Sequence, residues 1–303
     1  MSVVATVLAA VSAAASGSAP SAVDPLELGQ ACWRALVLGV VQGLTEFLPI
    51  SSSAHLKVVP VVLGWGDPGV SFTAVIQLGS IVAVIAYFWS DLVEVLRGIT
   101  RAFRYGQWTD PSARLGVSIA LGTLPIVLGG LAIKLWVPDY DNSPLRSMGS
   151  IAVVSMVMAL LLALAELLGR RRRQLNGVQP RDGLLVGLAQ ALALVPGVSR
   201  SGSTLTASLF DGWDRAAAAR FSFLLGIPAI TLAGLAELKD AFAAPANGGP
   251  LPMLVGLVVT AVVSWLAIAW LLKFLQHHST WVFVAYRLLF GAAILIWLGA
   301  KVA

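Results

Sequence analysis

Charge is scarce in this sequence. Asp, Glu, Lys and Arg make up 12% of its 303 residues, while 58% are hydrophobic; soluble domains carry about 25% charged residues. Cysteine is nearly absent as well. Cys32 stands alone, which excludes an intrachain disulfide and a thiol-relay pattern, and its expected place is that of a small buried apolar side chain. Three further patterns are missing. There are no alternating segments of about ten residues, so a membrane barrel is excluded. No GxxxxGK[ST] phosphate loop occurs, and no GxSxG nucleophile elbow surrounds the serines, so neither a P-loop ATPase nor an ordinary α/β-hydrolase fits.

What the sequence does contain is grease in long runs. Mean hydropathy is +0.86, and apolar stretches near the 20 residues needed to cross a hydrocarbon layer recur along the chain. The expected fold is an all-α polytopic membrane protein with about six full spans. A formal charge of +5 raises the possibility of a nucleic-acid partner, but its distribution argues otherwise. Arg97, Arg101, Arg104 and Arg114 surround one inter-span region, and Arg170, Arg171, Arg172, Arg173 and Arg181 another. Arginines near span ends orient a helix with those ends in the cytoplasm, and are expected to be solvated or to meet anionic headgroups.

Residues 1–25 are apolar, then small and polar, without a positively charged start, and read as an N-terminal extension or an atypical signal-like segment. One membrane-embedded domain is expected over 26–300. Helical spans are predicted over about 72–89, 115–137, 148–168, 216–235, 253–275 and 281–298. Two further segments are apolar helices interrupted by polar sequence. The first runs from 26 to 48 and breaks at Pro49 into SSSAH; the second, 183–209, breaks at PGVSRSGST. Broken backbone at membrane depth is tolerated only when shielded by protein or lining a wet cavity, so both are read as broken or re-entrant elements.

The two interruptions resemble each other. LGVVQGLTEFLPISSSAHL lies beside VGLAQALALVPGVSRSGSTL with Gln42 near Gln190 and, after one gap, Pro49 near Pro196; Gly79 and Gly226 each follow 30 residues after those prolines. Repeat one is placed at about 30–137 and repeat two at about 180–300, with the 148–168 span between them. With the arginine-rich ends inside, the two broken elements enter from opposite sides. Such an inverted-topology repeat brings discontinuous helices together near the midplane, a common location of substrate sites.

Their polar residues carry chemistry. Gln42 and Glu46 share a helix face with Gly39 and Gly43 nearby, and a carboxylate at that depth needs a hydrogen-bond, ionic or metal partner. Ser51, Ser52 and Ser53 follow the break, with His55 within one helical turn of Ser52 as a base for a hydroxyl nucleophile. Lys57 reads as an interfacial charge. The second break supplies Ser199, Arg200, Ser201, Ser203 and Thr204; a planar guanidinium ringed by hydroxyls matches phosphate oxygens, and pairing of Arg200 with Glu46 is the structural alternative. A diphosphate on a lipid combines the charged head and apolar tail that such a site demands.

QGLTEFLPISSSAH at 42–55 and PGVSRSGST at 196–204 resemble the two characteristic segments of the bacterial undecaprenyl-diphosphatase family, also associated with bacitracin resistance. The resemblance covers about residues 30–300. It implies hydrolysis of undecaprenyl diphosphate to undecaprenyl phosphate for envelope synthesis, in the cytoplasmic membrane, with a site reached from the outer face. It also implies a divalent cation, Mg2+ or Ca2+, and a link to bacitracin through the shared lipid. Carried over, Glu46, Ser52, His55 and Arg200 are the catalytic candidates, and Ser51, Ser199, Arg200, Ser201 and Thr204 the phosphate-binding ones. Gln42, Ser53 and Ser203 support them, and Glu46 is the candidate metal ligand. The family pattern allows Glu where this chain has Gln42, which weakens a paired-carboxylate mechanism here.

Attack by Ser52, by His55 or by activated water is compatible with these residues. A lipid or anion transporter, and a non-catalytic scaffold of envelope synthesis, are the competing function classes; a homodimer is compatible with either. His277-His278 falls short of a metal constellation and reads as an interfacial loop. Trp65, Trp89, Trp136, Trp213 and Trp281 sit near predicted breaks or ends, where indole favours the membrane interface.

Overall fold

The computed structural model describes residues 25–66, 68–137, 139–140, 143–241 and 249–302. The expected N-terminal extension therefore lies almost wholly outside the described residues. Eleven α-helices follow: α1 Pro25–Phe47, α2 Ser52–Val62, α3 Val70–Tyr87, α4 Trp89–Tyr105, α5 Pro111–Trp136, α6 Met148–Leu168, α7 Pro180–Ala191, α8 Arg200–Phe210, α9 Arg215–Ala241, α10 Pro250–His277 and α11 Trp281–Val302. Among the described residues five, α5, α6, α9, α10 and α11, are long and apolar enough to cross a membrane, and counting the bent pair α3–α4 as one broken span brings the number to six. The all-α polytopic expectation holds.

The expected 72–89 span differs in one respect. Its helix ends at Tyr87, and the chain turns by 67° into α4. The cause is composition: α4 carries Asp91, Glu94, Arg97, Arg101 and Arg104, too much charge to continue through hydrocarbon. It instead buries a narrow face, Val95, Gly98 and Ala102, and ends at Gly106 in the left-handed conformation. The next helix starts cleanly. Asp110 caps α5 by accepting from the Ser112 amide at 2.8 Å, and that bond holds its carboxyl below the usual carboxylate range.

Both predicted interruptions are present. After α1 the chain breaks at residues 48–51 and restarts in α2; after α7 it passes through a 3-10 turn at Leu192–Leu194 and restarts in α8. Helix α1 packs along α10, and α7 packs along α5. A Cβ on Gly43 would come within 2.7 Å of the Val263 Cβ, so the small residues on the Gln42 face do allow the close approach expected of them.

Two expectations about the helix ends need correction. The arginines after α6 are not all solvated: Arg171 and Arg215 pair with the buried Glu166, and Arg173 bridges Asp182 and Asp211. Removing a carboxylate and several carbonyls from water at a helix end requires such partners. Trp213, expected at the interface, is fully buried, stacked on Phe221 and covered by Arg173. Trp89, Trp136 and Trp281 are exposed, as is Lys57, whose Nζ donates to the Arg146 carbonyl. Cys32 is half-buried, and His277 and His278 lie at the exposed end of α10.

Candidate functional site

The two breaks have the same local geometry. Ser51 (φ 76°, ψ 99°) and Ser199 (φ 69°, ψ 114°) immediately precede α2 and α8 in a left-handed conformation rare for a residue with a side chain. Each serine hydroxyl lies 3.2 Å from that of the serine two residues on, Ser53 and Ser201. Strained backbone of this kind persists only where surrounding contacts enforce it. Here the enforcing contacts run from one break to the other.

Ser201 Oγ donates to the Leu48 carbonyl at 3.0 Å. More extensive is the contact made by Arg287 of α11, a residue the sequence reading passed over. Its buried guanidinium donates to the carbonyls of Pro49 (3.1 Å), Gly197 (2.8 Å) and Val198 (3.0 Å), and through Nε to Ser155 (3.1 Å). Helix breaks leave carbonyls without partners, and one guanidinium satisfies those of both breaks. A signal was present: an Arg seven residues into an apolar span is costly unless it has a task.

Joined in this way, the breaks bring Glu46 and Arg200 together. Glu46 Oε1 stands 3.6 Å from Arg200 Nη2, both side chains being less than a tenth exposed. That is an ion pair longer than a hydrogen bond. The three guanidinium nitrogens of Arg200 have no hydrogen-bond partner, a costly condition for a buried cation. They are well placed to donate to an oxyanion. Gly226 lies directly behind: a Cβ there would overlap the guanidinium.

Glu46 organises the other polar groups. Its Oε2 accepts from Ser52 Oγ at 2.8 Å and from Gln42 Nε2 at 3.2 Å. Gln42 Nε2 also donates to Gln77 Oε1 on α3 at 2.7 Å and approaches Ser80 Oγ at 3.4 Å. Gln77 carried no motif and was missed. The Gln42 carbonyl oxygen is buried without a partner.

His55 corrects the expected Ser52–His55 relay. Although the two are three residues apart on α2, Nδ1 of His55 is 2.7 Å from the Ser51 carbonyl and Nε2 is 2.7 Å from the Tyr286 hydroxyl. Bonding back one helical turn swings the ring towards α11, where it stacks on Phe290 at 4.2 Å. The group facing the Ser52 hydroxyl is Glu46. Several hydroxyls of the second break are turned inward too. Thr204 meets the Arg200 carbonyl and Ser222 Oγ, and Ser203 donates to the Arg200 carbonyl. Ser199 caps α8 by accepting from the Gly202 amide at 3.2 Å.

Among the described residues no three His, Cys, Asp or Glu side chains cluster as a cation cage. One carboxylate, Glu46, is present, and Gln42 turns its Nε2 towards it; the Gln42 amide oxygen, buried without a partner, would join Glu46 as a ligand of a hard cation only with the amide flipped. Magnesium is commonly held by one or two carboxylates and completed by substrate phosphate oxygens and water.

Comparison with known proteins places this geometry in context. The family model described as bacitracin resistance protein BacA matches residues 35–293. An undecaprenyl-diphosphatase of Parasynechococcus marenigrum (strain WH8102) is 72% identical over 90% of this chain and 95% of its own length. Undecaprenyl-diphosphatases of Synechococcus sp. (strain CC9605) and Prochlorococcus marinus (strain MIT 9313) are each 73% identical, over 90% and 89% of this chain and 96% and 91% of theirs.

Proposed function

The chain belongs to the bacitracin resistance protein BacA family, and from that premise we propose how its two interrupted helices carry out the hydrolysis of undecaprenyl diphosphate. The protein is an undecaprenyl-diphosphatase of the membrane, releasing inorganic phosphate and leaving undecaprenyl phosphate as lipid carrier for envelope synthesis. The observation that carries the mechanism is the pairing of a buried, hydrogen-bond-free Arg200 with Glu46 across the two breaks.

Arg200 holds the terminal phosphoryl group, its fork donating to non-bridging oxygens in place of Glu46. Ser52 Oγ attacks the terminal phosphorus, and the bond to the bridging oxygen breaks, so the electron pair leaves on the lipid phosphate. Glu46, 2.8 Å from that hydroxyl, takes its proton. A carboxylate suffices for this because the transition state of phosphoryl transfer is loose and little proton transfer is needed early. Once Glu46 has passed that proton to the departing lipid phosphate, water attacks the phosphoserine, Glu46 takes a proton from the water and returns it to Ser52 Oγ as the phosphorus–oxygen bond breaks, which releases orthophosphate and restores Ser52. His55 acts through position: tied to Tyr286, it fixes the Ser51 carbonyl and hence the turn that presents Ser52.

Glu46, joined by the Gln42 oxygen with that amide flipped from its present contact with Glu46, would hold the divalent cation against the substrate. Bound there, the cation would offset negative charge on the phosphoryl oxygens. The matched breaks, each packed on a helix of the other half, support an inverted repeat. With the arginine-rich ends of α4 and α6 in the cytoplasm, the α1–α2 element opens outward, so the site is reached from the extracytoplasmic side.

The test is phosphate release from a defined polyprenyl diphosphate by purified protein, with and without a chelator. Metal-dependent release supports the whole reading. Release that survives complete metal removal rejects the cation, and redistribution of intact lipid without release rejects hydrolysis.

A further inference from the structure

A cavity of about 430 Å³ opens between the start of α1, the end of α2, and the first turns of α3 and α10, with Glu27, Gln30, Arg34, Leu38, Trp65 and Phe72 in its wall. Its α1 residues recur at helical spacing, and a winding stripe continues from them: Arg34, Leu38, Gln42 and Glu46 follow one another at intervals of four, each about 40° further round, so Glu46 stands about 120° round α1 from Arg34. At 1.5 Å per residue, Glu46 lies about 18 Å further along α1 than Arg34. The cavity thus stands at the start of a stripe that winds along α1 and ends at the reacting group.

Its inner wall is apolar. Leu38 and Phe72 are buried in a cluster with Ala35 and Ile76. Against this wall stands one cation. The Arg34 guanidinium lies 5.8 Å from the Trp65 ring centroid, the residue is exposed, and neither it nor Glu27 is in an ion pair among the described residues. An arginine resting on an indole face is held in orientation while its N–H edge stays free to bind oxygens in the guanidinium plane. The volume greatly exceeds what an orthophosphate ion fills, and Arg34, about 10 Å along α1 from the Glu27 carboxylate in the same wall, stands before apolar surface that suits a charged head with hydrocarbon attached.

We propose that this cavity is an outer receiving site for the phosphate group of a lipid phosphate, held by Arg34 over Trp65 on its way to or from the Glu46–Arg200 pair. The proposal rests on the diphosphatase reading of that pair. No bond is made or broken here. What the site supplies is a place for the head at the level where the chain enters the bundle, so that the charge need not move from water to the buried site in one step.

The test compares the full chain with Arg34→Gln and Arg34→Lys, purified in phosphatidylcholine nanodiscs. Three quantities are measured: KM for undecaprenyl diphosphate, and inhibition by undecaprenyl phosphate and by inorganic phosphate. Loss of one charge-assisted contact is expected to raise KM and the lipid-phosphate inhibition constant about tenfold in Arg34→Gln. Arg34→Lys should recover part of that loss, with inhibition by inorganic phosphate unmoved. A shift confined to inorganic phosphate overturns the lipid assignment in favour of a free-phosphate site, and no shift in any of the three overturns the site. Should the wild-type protein show no hydrolysis, the diphosphatase reading fails separately. Equilibrium binding of undecaprenyl phosphate to wild type and Arg34→Gln then decides the cavity: weaker binding by the variant supports it, equal binding overturns it.

Discussion

Nη2 of Arg200 stands 3.6 Å from Oε1 of Glu46, although one residue opens α8 and the other closes α1. Neither helix holds the other directly enough to set that distance. It is set by the chain breaks, whose carbonyls converge on Arg287.

Replacing Arg287 with Met removes the donor from four buried carbonyls, those of Pro49, Ser155, Gly197 and Val198. Unsatisfied buried acceptors cost about 1–3 kcal/mol each, so a loss of roughly 3 kcal/mol or more is expected. Thermal unfolding in detergent should show a clearly lowered midpoint. An unchanged midpoint means the breaks are held by other contacts.

Gly226→Ala places a methyl group where the Arg200 guanidinium lies. The guanidinium has no room behind it and must shift towards Glu46 or out of the site. Misplacing a reacting group by about 1 Å costs on the order of 100-fold in rate. Phosphate release should fall by that order while the protein still folds, because the displaced group is a side chain and not backbone.

Ser52 and Tyr286 separate attack from positioning. Ser52→Ala removes the hydroxyl that Glu46 accepts from, and activity should fall by about 10³-fold, within the range for losing a positioned reacting group. Tyr286→Phe removes only the partner of His55 Nε2, and a reduction of about tenfold is expected, the equivalent of one hydrogen bond. Rapid-quench trapping should label Ser52 in the wild type. Label on His55 would transfer the nucleophile to the imidazole.

Chelation should abolish phosphate release, and added Mg2+ or Ca2+ should restore it. Because Glu46 and the Gln42 amide oxygen form the whole protein donor set proposed for the cation, Glu46→Gln should raise the cation concentration needed for half-maximal activity. If that concentration stays fixed in Glu46→Gln, the ligands lie elsewhere.

The sequence made the helices and the breaks readable for a simple reason. Long apolar runs have few alternative folds, and Pro49, Pro196 and the clustered serines interrupt them unmistakably. Glu46, Ser52 and Arg200 were readable because charge and hydroxyls at membrane depth demand partners. Which partner each takes was not readable. The Ser51 turn at φ 76° rotates α2 so that Ser52 faces back to Glu46 while His55 faces α11, and spacing alone treats those outcomes as equal. Arg287 was overlooked within an otherwise apolar span, and Gln77 lies far along the chain from the residue it contacts. Trp213 misled because its position after a helix suggested an interface, whereas Phe221 and Arg173 enclose it.

The measurement that bears most directly on the joining of the two breaks around one charged head is kcat/KM for undecaprenyl diphosphate in Arg200→Lys. Lysine keeps the charge but lacks the planar fork, so a fall of about 10²- to 10³-fold is expected, as for removal of a donor to developing phosphoryl charge. Near wild-type turnover by the correctly folded variant would show that Arg200 does not clamp the diphosphate.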